Sequence, residues 1–167
     1  VLNYFMKPIF IFTPPFTQLN TPYPASAYIK GFLNTQNIDC FQADLGIEVI
    51  LKLFSKDGLK KMFKRSSLTE SKSENAQRIE ILQNDYISTI DEVIKFLQGK
   101  NPTLALSICQ EDFLPEASRF QQLEDIDWAF GTMGTQDRAK HLATLYLEDL
   151  SDYIVECVDV NFGFSRY

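Results

Sequence analysis

The sequence predicts an α/β fold, namely the start of a Rossmann-like (flavodoxin-like) parallel sheet followed by a large helical segment. Two short runs rich in β-branched and aromatic residues flank a stretch with helical spacing near the amino terminus. After them, apolar residues recur every three or four positions, the period of helices that pack on one face. We therefore expect two regions: residues 1–45 form the βαβ start of the sheet domain, and residues 46–167 form a helical insertion or extension.

The first strand is predicted at Pro8 to Thr13, an apolar run that Pro14-Pro15 closes because proline cannot donate to a sheet ladder. A continuous apolar run of this kind is typical of a fully buried strand. Pro24 can occupy the first position of a helix that ends within Asn34 to Asn37, and Ile38 to Asp44 is the second predicted strand. A strand, a helix and a strand in so short a stretch predict two parallel strands joined by a right-handed crossover.

Helical periodicity extends over the rest of the chain. Ser71 and Glu74 fit a capping box at the start of a long central helix, and Gly99 is the predicted end of that helix. Asp137 is the predicted cap of the last helix. The apolar stripe of the last helix consists of Leu142, Leu145, Tyr146, Leu150, Tyr153, Ile154 and Cys157.

Composition and charge exclude several classes of protein. Sixteen Lys and Arg against 22 Asp and Glu give a net charge of −6, and an acidic chain is poorly suited to binding nucleic acid through its phosphates. No apolar run approaches the ~20 residues that a membrane-spanning helix needs. Cys40, Cys109 and Cys157 are an odd and widely spaced set, which is typical of reduced thiols and predicts a cytoplasmic protein.

The chain is expected to be a fragment of a longer protein. It begins at Val1, and its first methionine is Met6. Two strands also cannot complete a parallel sheet, because both faces of such a sheet need covering and doubly wound folds usually contain about four or more strands. We expect the missing strands to follow Tyr167.

Several segments taken together resemble a known family. The first are the Pro-Pro loop Thr13-Pro-Pro-Phe-Thr17, the helix start Thr21-Pro-Tyr-Pro-Ala-Ser-Ala-Tyr-Ile-Lys-Gly-Phe-Leu33 and the second strand Ile38-Asp-Cys-Phe-Gln-Ala-Asp44. Their order and spacing are similar to the N-terminal cobalamin-binding domain of radical S-adenosylmethionine enzymes. The later segments Asn101-Pro-Thr-Leu-Ala105, Phe113-Leu-Pro-Glu-Ala-Ser-Arg-Phe120 and Trp128-Ala-Phe-Gly-Thr-Met-Gly134 resemble a subgroup with a long helical insertion after the second strand.

The resemblance implies a cofactor and the residues that contact it. In that family, cobalamin lies across the carboxyl ends of the parallel strands, where open α/β sheets generally bind ligands. The implied cobalamin-binding residues are Thr13, Pro14, Pro15, Phe16 and Thr17 after the first strand, and Asp44 and Gly46 after the second. A Pro-Pro loop can instead act only as a strand terminator, and an aspartate after a strand can act only as a helix cap.

Two motifs of related enzymes are absent from the sequence. Asp44-Leu-Gly-Ile-Glu48 lacks the histidine that ligates cobalt in other cobalamin domains, as many radical enzymes of this family also do. The chain has no Cys-x-x-x-Cys-x-x-Cys to supply clustered thiolates to a 4Fe–4S cluster. The resemblance therefore implies that the cluster, the S-adenosylmethionine site and catalysis lie in a radical domain downstream in the same polypeptide. We expect no catalytic residue and no metal ligand within this chain.

A different class of function stays open, namely an acidic, mostly helical protein-interaction module with a degenerate cofactor site. Such a module would likewise lack the cobalt-ligating histidine. The acidic residues of the last helix are expected to form a solvated face or a docking surface, although their spacing is also compatible with a divalent ion. His141 is expected at the surface. These acidic residues are Glu148, Asp149, Asp152 and Glu156.

Overall fold

A computed structural model describes residues 7–17, 19, 23–69, 71–110, 112–125 and 134–164 of the protein. The fold is mixed α/β and mostly helical, with a two-stranded parallel sheet followed by helices. The chain divides into two compact units: the first contains the described residues up to Ile50 together with Phe164, and the second is Leu51–Gly163. Within the described ranges, no helix has the length and apolar character required to cross a bilayer. Residues 21 and 22 of the helix-start motif and residues 128–133 of the last motif lie outside the described residues.

The first unit contains the predicted pair of strands. β1 (Ile9–Thr13) pairs in parallel with β2 (Cys40–Asp44), and helix α1 (Ala25–Thr35) connects the strands and packs on both. Pro24 lies at the N-cap of α1, one residue before its predicted position, and its carbonyl accepts a hydrogen bond from the Tyr28 amide at 3.0 Å. α2 (Leu45–Leu53) begins directly after β2. The prediction of two adjacent parallel strands is confirmed.

The prediction that the first strand is fully buried is wrong for this chain. Phe10 and Phe12 on β1 are 56% and 52% exposed, and Phe41 on β2 is 60% exposed. The helix that joins the strands is also apolar on its outer side, where Tyr28 and Phe32 are 77% and 64% exposed. Two strands and one helix have too little surface to cover the apolar side chains that the sequence provides.

The second unit is helical in its described parts. Its α-helices are α3 (Lys56–Ser66), α4 (Glu74–Ile81), α5 (Gln83–Leu97), α6 (Ala105–Ile108) and α7 (Thr135–Cys157), and 3-10 turns occur at Pro102–Leu104 and Ser118–Asp125. α7 packs against α3, α4, α5 and α6. All seven residues of its predicted apolar stripe are buried, which confirms that prediction. Burying this stripe contributes hydrophobic stabilisation to the second unit.

The ends of the central helix differ in how well the sequence predicts them. Gly99 has φ = +73°, donates to the Phe96 carbonyl at 2.8 Å and is followed by a bond from Lys100 to the Lys95 carbonyl at 2.9 Å. This is the helix-ending motif that favours glycine, so the prediction for Gly99 is confirmed. However, the predicted single helix is two helices, α4 and α5, which meet at Leu82.

Two predicted helix caps are wrong. The cap of α4 is Ser73 rather than Ser71, and its Oγ accepts from the Ala76 amide at 3.2 Å. The carboxylate that completes this cap comes from α7, because Ser73 donates through its amide and its hydroxyl to Glu156 at 2.6 and 2.7 Å. Asp137 lies in the first turn of α7 and does not cap it, since the N-cap position is Gly134.

Candidate functional site

The carboxyl ends of β1 and β2 lie side by side in the first unit. The strand register pairs Thr13, the last residue of β1, with Asp44, the last residue of β2. Thr13 is buried, whereas Pro14, Pro15 and Phe16 on the loop that follows are exposed. The sequence-predicted cofactor residues therefore lie at one edge of the sheet.

Gly46 brings the loop after β1 against the start of α2. A Cβ at this position would lie 2.9 Å from Thr17 Oγ1, 3.2 Å from Asp44 Oδ1 and 3.3 Å from the Pro14 carbonyl oxygen. These separations are shorter than ordinary contacts of a Cβ, so only glycine fits without displacing its neighbours. The structure thus brings Pro14, Thr17, Asp44 and Gly46 together.

Asp44 has a structural role at this edge. Its Oδ1 accepts a hydrogen bond from the Ile47 amide at 3.1 Å, three residues along the chain, as the cap of a helix does. The negative charge at the start of α2 also complements the positive end of the helix dipole. The alternative interpretation of Asp44 as a helix cap is therefore correct, and one of its two carboxylate oxygens is engaged in this way.

Phe16 adopts an unusual backbone conformation in the loop after β1. Its φ is +65°, in the left-handed region that bulky residues rarely occupy. Holding a non-glycine residue there costs on the order of 1 kcal/mol, and such strain clusters at ligand-binding sites. The side chain is 49% exposed. Sequence patterns contain no signal for this feature, because Phe has no preference for positive φ.

The acidic residues of α7 do not form the predicted solvated face. Asp149 is fully buried, and its two oxygens accept hydrogen bonds from the amides of Ala117 and Arg119 at 3.1 and 3.0 Å. Burial raises the pKa of Asp149 to about 6, although these two amides lower it. Asp152 is engaged by the Arg119 guanidinium through two hydrogen bonds of 2.7 and 2.8 Å. These carboxylates hold the segment before α7 in place.

A second polar cluster joins α3, α4 and α7. The Tyr153 hydroxyl donates to Glu80 at 2.7 Å and lies 2.5 Å from the buried Ser66 hydroxyl, while Lys72 forms an ion pair with Glu80. Burial raises the pKa of Tyr153. Burial also acts to raise the pKa of Glu80, but hydrogen bonds from Lys72 and Tyr153 lower it overall. Each of these groups has a partner, so the cluster is a structural connection between helices.

Within the described ranges, no cluster of metal-binding side chains is formed. These ranges contain no group of three or more His, Cys, Asp or Glu residues placed to hold a metal ion. His141 is half-buried rather than exposed as predicted, and its Nε2 is shielded from solvent. An open cleft of about 460 Å³ lies beside Arg78, Thr89 and Leu114 in the second unit, and Arg78 Nε there already donates to the Glu116 carbonyl at 2.7 Å.

Comparison of the chain with protein-family models, curated proteins and solved structures finds no significant match.

Proposed function

We propose that the first unit is the beginning of a cobalamin-binding domain in a radical S-adenosylmethionine enzyme. The observation that carries this proposal is the convergence of Pro14, Thr17, Asp44 and Gly46 at the carboxyl edge of two parallel strands. Open parallel sheets bind ligands at this edge. The strained backbone of Phe16 on the same loop supports the proposal, because strain of this kind clusters at ligand-binding sites.

The chemistry of the donor set fits cobalamin held without a protein ligand to cobalt. The edge offers the Thr17 hydroxyl, one Asp44 oxygen beyond the cap and the backbone of the Pro-Pro loop, all suited to hydrogen bonding with amide groups of a corrin. His141 belongs to the second unit. When bound, cobalamin carries a methyl group or assists a radical rearrangement.

The role of this chain in such an enzyme is to bind and orient the cofactor. Thr13 and Asp44 are paired at the ends of the two strands, and Gly46 lets the loop after β1 meet the start of α2 without an intervening side chain. We propose that the 4Fe–4S cluster, the S-adenosylmethionine site and catalysis belong to a radical domain downstream in the same polypeptide. The further strands of a Rossmann-like sheet are part of the same proposal.

A protein-interaction module is the second candidate, and one observation favours it. Aromatic side chains of both the strands and α1 are more than half exposed, including Phe10, Phe41, Tyr28 and Phe32. Exposed apolar patches of this kind mark surfaces that bind other protein. The two candidates differ in whether the carboxyl edge of the strands binds a cofactor.

The test is titration of hydroxocobalamin into the 167-residue chain and into the longer polypeptide that this proposal implies. We expect the longer polypeptide to bind it one to one, with a change in its visible spectrum, and the 167-residue chain to bind weakly or not at all. In the longer polypeptide, Asp44→Ala and Thr17→Ala should each weaken binding by about tenfold, the loss of one to two hydrogen bonds.

Asp39→Ala is the matched control for Asp44→Ala, because Asp39 directly precedes the amino end of the same strand. It should leave the affinity unchanged. No binding by the longer polypeptide would contradict the cobalamin proposal and favour the interaction module. Equal loss in the Asp39 and Asp44 variants would mean that the cofactor does not lie at the carboxyl edge.

A further inference from the structure

Helix α3 carries a concentration of positive charge in an acidic chain. Residues 52–65 contain six cationic side chains and one anionic side chain, which gives this segment a net charge of +5. Because the whole chain has a net charge of −6, the remaining residues have a net charge of −11. Four of the cations, Lys60, Lys61, Lys64 and Arg65, are exposed on α3, and we call them the α3 basic face. Leu59, Met62 and Phe63 are buried, and their burial fixes which side of the helix faces outward.

The α3 basic face has no anionic partner among the described residues. None of its four side chains forms an ion pair there, although Lys72, Lys95, Arg119 and Lys140 elsewhere each pair with a carboxylate. The chain has an excess of carboxylates from which partners could have been supplied. The cations of α3 are therefore left to solvent or to another molecule.

The spacing of these cations is unfavourable to the isolated helix. Lys60 and Lys64 are four residues apart, as are Lys61 and Arg65, so each pair places like charges on neighbouring turns. Cations in the last turn favour the helix dipole, which accounts for Lys64 and Arg65 but not for Lys60 and Lys61. A partner with negative charges at the same spacing would relieve this repulsion.

We propose that the α3 basic face is a docking surface for an acidic helix of another protein. Two adjacent rows of cations one helical turn apart match a helix whose glutamates repeat at the same interval. Nucleic acid is a poorer occupant, because the aromatic residues of this segment, Phe54 and Phe63, are buried and cannot stack on bases. The net charge of −11 on the rest of the chain also disfavours a long polyanion more than a short acidic helix.

The experiment uses the 167-residue chain and a fluorescein-labelled helical peptide with glutamates at positions i, i+1, i+4 and i+5, followed by fluorescence anisotropy. We expect binding that weakens as NaCl rises from about 50 to about 300 mM, and no binding of the same peptide with glutamine in place of glutamate. Lys60→Glu with Lys61→Glu should weaken binding by about tenfold or more. This variant should melt at the same or a higher temperature, because each glutamate then lies four residues before a cation.

The matched control is Lys7→Glu with Lys100→Glu, which changes the net charge equally at exposed positions outside α3. It should retain most of the affinity. Equal weakening in the two double variants would overturn the proposal, because binding would then follow net charge alone. Tighter binding of a single-stranded oligonucleotide than of the acidic peptide under the same conditions would also overturn it and assign the face to nucleic acid.

Discussion

Asp149 shows how one buried side chain can organise a long segment. Its carboxylate accepts hydrogen bonds from the backbone amides of residues 117 and 119. It thus supplies the acceptors that a neighbouring strand or a preceding helical turn would otherwise supply to these amides. Arg119 is held a second time through Asp152. Together these contacts fix the start of the 3-10 turn onto α7.

The raised pKa of Asp149 predicts a pH dependence of stability. The group titrates at about 6 in the folded chain and ordinarily at 3.8, so between these values the folded state holds a proton that the unfolded state has lost. Its contribution to the free energy of unfolding therefore falls as pH rises from about 4 to about 6, by up to about 3 kcal/mol, and is constant above that range. Urea unfolding followed by circular dichroism across this range should show the fall in the wild type and lose it in Asp149→Asn.

Asp137→Asn is the control for this measurement, because Asp137 is an exposed acid on the same helix. Its stability profile should keep the wild-type slope. If Asp149→Asn and the wild type show the same slope, Asp149 does not titrate between these values.

Residue-scale contacts of this kind are largely beyond sequence reasoning. Asp149 belongs to an acidic run whose spacing is typical of a solvated face, yet it is buried because a distant segment supplies its two donors. The cap of α4 differs from the predicted Ser71–Glu74 box for a related reason. Ser73 is the cap, and its carboxylate partner is Glu156, which belongs to α7 rather than to the local sequence. In both cases the deciding partner is thirty or more residues away.

At the scale of elements, Gly58 determines how α2 is followed by α3. It lies in the first turn of α3, and a Cβ there would be 2.1 Å from the Leu53 carbonyl oxygen and 2.4 Å from that of Lys52. Both contacts are with backbone, which cannot move aside as a side chain can. The corner between the two helices therefore requires glycine.

Gly58→Ala is expected to reverse the usual effect of alanine in a helix. Alanine normally stabilises a helix relative to glycine, but here the close backbone should make it destabilising by about 2 kcal/mol or more. Gly31→Ala in α1 is the matched control, since a Cβ there meets no atom within 4 Å and it should stabilise by about 0.5–1 kcal/mol. Chemical unfolding of both variants measures the difference. Equal signs for the two changes would contradict this account of the corner.

Elements with a long apolar period are the part of the fold that the sequence predicts best. The stripe of α7 and the βαβ start both agree with the structure, because burial of a repeated apolar face decides them. The break between α4 and α5 at Leu82 is not predictable in this way, since the apolar period continues through it. Of the candidate site, the grouping of Thr17, Asp44 and Gly46 follows from parallel pairing, whereas the conformation of Phe16 does not.

At the scale of the whole molecule, the two units differ in how completely they bury their apolar residues. The second unit encloses Tyr86, Tyr146 and Tyr153 fully. The first unit instead leaves aromatic side chains of its strands and its helix exposed, with Phe41 at 60% and Tyr28 at 77%. Because an exposed apolar area of this extent favours association, we expect the first unit to be the part of this chain that binds another protein molecule.

We predict that the 167-residue chain self-associates through the first unit. Tyr28→Gln with Phe32→Gln removes two exposed aromatic side chains one turn apart on α1 while keeping good helix formers. Sedimentation equilibrium should show an association constant lower by about tenfold or more, since burying one aromatic side chain contributes about 1.5–3 kcal/mol. Ile81→Gln with Leu106→Gln is the control, because these residues are 81% and 68% exposed in the second unit and should leave association unchanged. A moderate interface gives a dissociation constant of about 1 μM. The prediction would be contradicted by a wild-type chain that stays monomeric at about 100 μM, a concentration well above that constant.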